Sequence, residues 1–305
     1  MSRVLVVGLN PAWQKTLNFT SLQKGQVNRA ESLHFCASGK GMNTAKVLSC
    51  FKHQVSLLQI VGGDNGRRVV QACSQYGINS IHLEVPGETR VCNTLICRET
   101  MKETEIIEPF APGIPAAEIS SKLISLINNS ATYDAVVIAG QAPDGCENDI
   151  YGKLLNAINA DLTVLDAYKN ISEALLKRVN VVKINKMEVE VLQKLYPELL
   201  HTNGHPEQKL FLITNGPSSA RFNQLTGDDW EQADIPVPEI ENVQNPIGAG
   251  DVVTGAFVHF SLCGLSAKDA FQKAIAAGTA SCLSPVPAEF EMCDMENLIK
   301  GKEPG

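Results

Sequence analysis

Short apolar runs rich in valine, isoleucine and leucine recur along this chain, each followed by a longer stretch whose apolar residues fall three or four apart. The runs are Val4–Val7, Ser56–Val61, Ala135–Ala139, Leu162–Asp166, Val181–Ile184 and Leu210–Thr214. They do not alternate with polar residues, so both faces want cover, as in a buried parallel sheet. The longer stretches read as helices: Gly41–Phe51, Gly66–Tyr76, Pro115–Asn128, Glu147–Ala160, Lys186–Tyr196, Asp251–Cys263 and Ala267–Leu283. Strand then helix, repeated, predicts an α/β sandwich with a mainly parallel central sheet. Ligands of such sheets bind beyond the carboxyl ends of the strands. Asn10, Gly140, Asp166, Asn185 and Gly216 fall there.

Two segments break the rhythm. Residues 14–36 and 88–110 alternate polar and apolar, as in Leu17-Asn18-Phe19, Glu31–Phe35, Arg90–Cys97 and Glu103–Ile107. Period-two patterning predicts strands with one exposed face. They are expected to form a small β lid on a single domain spanning 1–305. A lid suits an enzyme that keeps water away from a transferable phosphoryl group. Its open sheet also offers a surface for a homodimer.

The 305 residues, 44% of them hydrophobic, suffice for one large core. A net charge of −7 argues against a nucleic-acid surface. No run is long and apolar enough for a membrane span, and the N-terminal apolar run is too short for a signal peptide. The expected compartment is the cytoplasm. Nine cysteines, an odd number with no Cys-x-x-Cys pair, read as free thiols packed as small hydrophobes. His201 and His205 have metal-ligand spacing, but Thr202-Asn203-Gly204 between them reads as a turn, and no zinc site is expected.

The chemistry-bearing stretches are rich in glycine. Asn245-Pro246-Ile247-Gly248-Ala249-Gly250-Asp251 places two glycines and a carboxylate at the start of a helix. Helix N-termini offer unpaired N–H groups to anions, and an aspartate there could take a proton beside a phosphate. The same aspartate could simply cap the helix. Ser38-Gly39-Lys40-Gly41-Met42-Asn43 opens another helix with a lysine and an asparagine, or is only a tight turn; it lacks the hydroxyl residue of a P-loop. Arg90 suits phosphate, or is a surface arginine. Asn185 and Glu188 share a helical face and could orient Mg²⁺ through water or form a capping box, and the two roles are compatible. Val61-Gly62-Gly63-Asp64-Asn65-Gly66 does not fit a dinucleotide loop and reads as a strand-to-helix turn.

Taken in order, these stretches resemble the ribokinase-like (PfkB) carbohydrate kinases over almost the whole chain. Asn10-Pro11-Ala12 is similar to the family's first substrate loop, and Gly25-Gln26-Val27-Asn28-Arg29 to the approach to its lid. Gly39-Lys40-Gly41-Met42-Asn43 resembles its Gly-Gly-Lys-Gly-x-Asn signature. Gly140, Pro143 and Gly145 resemble a Ser-Gly-Ser-x-Pro-x-Gly loop. Asn185-x-x-Glu188 is similar to the magnesium and nucleotide motif, Thr214-Asn215-Gly216 to the nucleotide strand end, and Gly248-Ala249-Gly250-Asp251 to the anion hole and base. Asn10-Pro11-Ala12, Glu88-Thr89-Arg90 and Thr104-Glu105 with Glu108-Pro109 resemble the subgroup acting on sugar phosphates, tagatose-6-phosphate kinase and 1-phosphofructokinase.

The resemblance implies a ribokinase-like three-layer sandwich and transfer of the γ-phosphoryl of ATP to a phosphorylated ketohexose: tagatose 6-phosphate, fructose 1-phosphate or fructose 6-phosphate. It implies Asp251 as base, with Gly248, Ala249 and Gly250 as the anion hole. Asn10, Gln14, Gly39, Lys40, Asn43, Arg90 and Ala139 would face the sugar, with Lys40 and Arg90 on its phosphate. Asn185, Thr214, Gly216, Gly248, Gly250 and Gly278 would face ATP. Asn185 and Glu188 would hold Mg²⁺ through water. Departures gather on the sugar side: Gln14 stands where the family has aspartate, Ala139 and Gln141 replace serines, and Cys92 and Thr94 replace asparagine and lysine. Asn245 replaces an aspartate that helps hold a monovalent cation in the wider family, so potassium dependence is not expected. A phosphate-free sugar or nucleoside acceptor, and a non-catalytic sugar-phosphate sensor, stay open as alternatives.

Overall fold

The computed structural model describes residues 1–100, 102–127, 132–197, 208–227 and 229–301. His201, His205 and the last four residues lie outside them. The first half runs β1 (Arg3–Val7), β2 (Ala12–Phe19), β3 (Ser32–Ser38), α1 (Lys40–Cys50), β4 (Gln54–Val61), α2 (Gly63–Gln75), β5 (Asn79–Glu84), β6 (Val91–Cys97), β7 (Lys102–Ile107) and α3 (Ala116–Ile127). The second runs β8 (Thr132–Ala139), α4 (Ile150–Asn156), β9 (Asn159–Asp166), α5 (Glu173–Arg178), β10 (Val181–Asn185), α6 (Lys186–Leu195), β11 (Gln208–Thr214), β12 (Ala220–Thr226), β13 (Asp229–Ile235), α7 (Ala249–Leu262), α8 (Ala267–Ser281) and α9 (Met292–Ile299).

Nine strands form one sheet in the order β13-β12-β11-β10-β9-β8-β1-β4-β5. All neighbours are parallel except the β11–β12 and β12–β13 pairs at one edge. Strand order reverses beside β1, the point where such sheets open a crevice. Along β1 the side chains alternate between two cores. Val4 and Val6 join Met42, Leu48, Phe257 and Phe271 on one face, while Leu5 and Val7 join Ile119, Leu123, Tyr151 and Phe211 on the other. The helices therefore divide, with α1, α2, α7, α8 and α9 on the first face and α3 to α6 on the second. This is the expected three-layer sandwich. Each such side chain, fully buried, stabilises the fold by about 1.5–3 kcal/mol.

A second sheet has the order β3-β2-β6-β7 and comes from the two alternating segments. The expected helix over 147–160 is shorter. Thr132 pairs with Asn159, so parallel pairing with β8 claims residues the helical pattern had included. The pattern also missed β5, α5, α9 and the β12–β13 hairpin. No described helix is long and apolar enough to cross a membrane.

Where α1 gives way to β4, Phe51 stacks on His259 at 3.9 Å between ring centroids, and His53 Nε2 lies 3.0 Å from His259 Nδ1. One ring must donate and the other accept, so at most one can be protonated without loss of the bond. Burial and the neighbouring His53 lower the His259 pKa to about 4, and burial also lowers that of His53. The unfolded chain therefore takes up protons near pH 6.5 while the folded one resists until about pH 4. This pair's contribution is complete above pH 6.5 and declines as pH falls from there to about 4. His259→Asn should remove part of the acid-side loss, on the order of 1 kcal/mol after allowance for solvent screening of the half-buried rings. Melting curves of both proteins at pH 7.5 and 5.5 measure it; equal acid sensitivity would contradict it.

Candidate active site

The N-termini of α1 and α7 meet over the carboxyl ends of β1, β8, β9 and β10. Backbone approach makes this possible: a Cβ on Gly41 would lie 2.3 Å from the Gly8 Cα, so α1 starts directly against the end of β1. Gly248 takes the left-handed conformation at φ 83° and is the N-cap of α7. Asp251 is therefore the third residue of the helix, not its cap, and its side chain is free for another task. That carboxylate is 7% exposed and accepts a 2.7 Å hydrogen bond from Asn43 Nδ2. Ser38 Oγ in turn donates to Asn43 Oδ1 at 3.2 Å and fixes the amide's orientation.

Behind Asp251 lies a buried charge cluster centred on Asp166, the last residue of β9. Asp166 Oδ1 accepts from Lys40 Nζ at 2.8 Å, and Oδ2 accepts from Lys183 Nζ at 3.0 Å and from Thr254 Oγ1 at 2.5 Å. Burial opposes ionisation of Asp166, but the charges of Lys183 and Lys40 outweigh it and hold the carboxyl well below the usual range. Asp251 is pushed the other way, first by burial and then by the charge of Asp166, with Lys40, Lys183 and Asn43 only partly offsetting them. Two nearby aspartates thus differ in character: one firmly ionised anchor, and one carboxylate poised above its ordinary range. Lys183 was not singled out from the sequence. It sits in a strand that reads as core, yet a Cβ on Gly250 would lie only 3.0 Å from its Nζ.

The capping box at α6 is present in full. Asn185 Oδ1 accepts from Glu188 N, and Glu188 Oε2 accepts from Asn185 N, both at 2.9 Å. Glu188 Oε1 also accepts from Lys40 Nζ at 3.0 Å. Lys40 therefore stands with Asp166 and Glu188, two partners the sequence did not suggest for it. Asp166 and Glu188, with Asp251 nearby, keep its ammonium charged against the opposing effect of burial.

Arg90 donates from Nη2 to the Asn10 carbonyl at 3.0 Å. Its buried Nε and the buried Oδ1 of Asn10 have no hydrogen-bond partner in the protein. Glu88 and Thr89 hold the hinge before β6: Glu88 accepts from Asn65 N at 2.8 Å, and Thr89 Oγ1 from Gly62 N at 2.9 Å. Gln14 is buried in the small sheet and donates to Thr94 Oγ1 at 2.6 Å. Ala139 ends β8 beside Asp166 in register. Thr214 ends β11, and Gly216 follows in an open turn at φ 55°. Gly278 has a packing reason to be glycine, because a Cβ there would lie 2.6 Å from Val253 and 3.0 Å from the Ala249 carbonyl oxygen. Asn245 bridges two loops, donating to the Pro285 carbonyl at 3.1 Å and accepting from Ile247 N at 3.0 Å.

A carboxylate at a helix N-terminus, flanked by two anchored lysines at the carboxyl edge of a parallel sheet, has the parts that phosphoryl transfer requires. Comparison with known proteins agrees. Residues 1–290 match the model of the pfkB family carbohydrate kinases, and the chain belongs to that family. It is an ATP-dependent phosphotransferase with an alcohol acceptor. It is 27% identical to 1-phosphofructokinase of Borreliella burgdorferi, covering 97% of this chain and 96% of that one. It is 24% identical to tagatose-6-phosphate kinase of Staphylococcus epidermidis, covering 97% of each. Among solved structures, phosphofructokinase-2 of Escherichia coli superposes with a TM-score of 0.81 at 18% identity, covering 99% of both chains. Ribokinase of Thermotoga maritima gives 0.76, also at 18%, covering 98% of this chain and all of that one.

Asn43 stabilises the charged form of Asp251, so its removal should raise that pKa. A hydrogen bond to a charged group contributes about 1.5–3 kcal/mol, which corresponds to roughly 1–2 pH units. Asn43→Leu is expected to move the acid limb of kcat/KM to higher pH by that amount. A pH profile of the free enzyme measures it, and an unmoved limb would contradict the assignment.

Proposed function

We propose that the protein transfers the γ-phosphoryl group of ATP to a hydroxyl of a phosphorylated ketohexose: tagatose 6-phosphate, fructose 1-phosphate or fructose 6-phosphate. The observation that carries this reading is the Asp251 carboxylate, buried, oriented by Asn43 and seated within reach of the Lys40–Asp166–Lys183 cluster. The two sugar-phosphate kinases similar over nearly the whole chain support the acceptor class.

Asp251 accepts the proton of the attacking hydroxyl, for which a weak base suffices because the transition state is loose. At the start of α7 the amides of Gly248 and Gly250 face the charge on the transferred group, while Ala249 N donates to the Pro246 carbonyl at 3.3 Å and shapes the turn that presents them. Lys40 and Lys183, held apart by one carboxylate, add two cations beside that path. Asn185, Thr214 and Gly216 line the ATP side, and Gly278 supports it by letting α8 pack under Ala249. On the sugar side, Arg90, held by its bond to the Asn10 carbonyl, supplies the charge for the phosphate, and Asn10 stands beside it for a hydroxyl. Gln14, Gly39 and Ala139 shape the remaining wall. Both Glu188 oxygens already hold one hydrogen bond, and each keeps a lone pair. That suits the water shell of Mg²⁺ better than direct ligation. When bound, Mg²⁺ neutralises phosphate charge.

A phosphate-free acceptor is the second reading, favoured by the commitment of Lys40 to Asp166 and Glu188, which leaves Arg90 as the acceptor-side cation. ADP release with the three ketohexose phosphates, fructose and a nucleoside separates the two. Turnover is expected only with a phosphorylated acceptor, and to fall by orders of magnitude in Asp251→Asn with ATP binding retained. Near-normal turnover of Asp251→Asn would overturn the mechanism, and turnover of fructose would overturn the acceptor class. Binding without turnover on any acceptor would point to a sensor.

We also propose a homodimer through the small sheet. Register places Leu33, Leu17 and Leu95 in one row, with Phe35 and Ile106 in the next row on the same face. Phe35 and Ile106 are 54% and 52% exposed, and an apolar face of this kind marks an interaction site. Sedimentation should show a dimer for the native chain and a monomer for Phe35→Asp; a monomeric native chain would contradict it.

A further inference from the structure

The turn that leaves β8 is tied down at four points. Gly140 N donates to the Asp166 carbonyl at 2.8 Å, which joins the turn to the end of β9. The Gly140 carbonyl accepts from Tyr151 Oη at 2.7 Å. Ala142 N donates to Asn170 Oδ1 at 3.1 Å, and Asp144 N to the Phe110 carbonyl at 3.2 Å. Asn170 takes the left-handed conformation at φ 58°, which asparagine tolerates better than most residues. Tyr151, in the first turn of α4, is fully buried in the second core with Ile138 and Leu165. A buried phenol needs a partner for its hydroxyl, and the Gly140 carbonyl is that partner. Burial, and then the nearby Cys146, raise the phenol's pKa against the opposing charge of Lys40, so the hydroxyl remains a donor throughout the working pH range.

The same turn borders the acceptor side of the site. A Cβ on Gly140, at φ 81°, would lie 3.3 Å from Lys40 Cβ, so the turn packs on the stem of Lys40. Ala139, one residue earlier, belongs to the wall proposed for the sugar. Lys40 Nζ is fixed independently by Asp166 and Glu188. A shift of the turn therefore moves the wall and leaves the ammonium in place. There is room for such a shift. A cavity of about 500 Å³ borders the turn, lined among others by Gln141, Pro143, Cys146, Tyr168 and Asn170.

We propose that Tyr151 and Asn170 are positioning residues that set acceptor affinity: they hold the 139–142 turn against Lys40, so that the wall facing the sugar is formed before the substrate arrives. The proposal rests on the acceptor side assigned above. A wall that must be ordered during binding draws on the binding energy of the ligand, and a preformed one does not. Among the described residues, no hydrogen bond joins the turn to Asn185, Thr214 or Gly216, so the ATP side is not expected to respond.

Tyr151→Phe keeps the buried ring and removes only the hydroxyl. Asn170→Gly removes the second hold and still permits the left-handed backbone; it tests the proposal alone if Tyr151→Phe does not fold. Steady-state kinetics of the full-length native protein and both variants, with melting curves alongside, use fructose 6-phosphate, fructose 1-phosphate and tagatose 6-phosphate as acceptors. The KM of the acceptor turned over should rise about tenfold in each variant, with kcat and the KM for ATP within about twofold of native. Bonds that serve stability alone would lower the melting temperature and leave the acceptor KM unmoved, and that result overturns the proposal. So does an equal rise in the KM for ATP. If the native protein turns over none of the three, the acceptor reading fails, and calorimetric titration with the same compounds tests the turn by itself. Binding weakened about tenfold in the variants supports the proposal; unchanged binding, or no binding by the native protein, overturns it.

Discussion

The proposed active site depends on one buried carboxylate. Asp166 lies fully buried at the end of β9 and binds two ammonium groups and a hydroxyl at once. Taking three charges out of water costs several kcal/mol per ion before their attraction is counted. Well-packed apolar residues would serve stability as well or better. What the cluster provides is position: Lys40 from α1 and Lys183 from β10 are fixed on opposite oxygens of one group, and Thr254 ties α7 to the same point. Three elements far apart in sequence are thereby held in one geometry, with Asp251 beside it.

The fold supplies the platform for that cluster. Two cores press on the central sheet from either side, so the strand ends are rigid, and the strand-order reversal beside β1 opens the space above them. Glycines then let backbone come closer than any side chain would permit, at Gly8 against Gly41 and at Gly278 beneath Ala249.

Much of this was legible in the sequence. The strands buried on both faces declared themselves by unbroken apolar runs, and the small sheet by its alternation. Gly248, Gly250 and Asp251 stood out as glycines and a carboxylate at a helix start, a pattern a cap could equally explain, and only the structure shows that Gly248 and not Asp251 is the cap. Lys183 did not stand out, because one lysine inside an apolar strand looks like a strand end, and its meaning lies in Asp166 seventeen residues earlier in the chain. Lys40 was recognised, but not its bonds to Asp166 and Glu188. Only the fold reveals that the first turn of α1 meets the ends of β9 and α6. The hairpin of β12 and β13 and the short α5 were missed because their patterns are brief and their faces partly exposed, so tertiary pairing decides them.

If Asp166 organises the lysines that attend phosphoryl transfer, and is not merely a structural ion pair, its charge must matter to turnover. Asp166→Asn keeps the shape and one acceptor but removes the charge that holds Lys40 and Lys183. Steady-state kinetics of this variant, with circular dichroism to establish that it is folded, test the claim most directly. The expected result is a fall in kcat of about 100-fold or more with a much smaller change in the KM for ATP. A folded variant whose kcat stays within about threefold of the native value, under 1 kcal/mol of barrier, would contradict it.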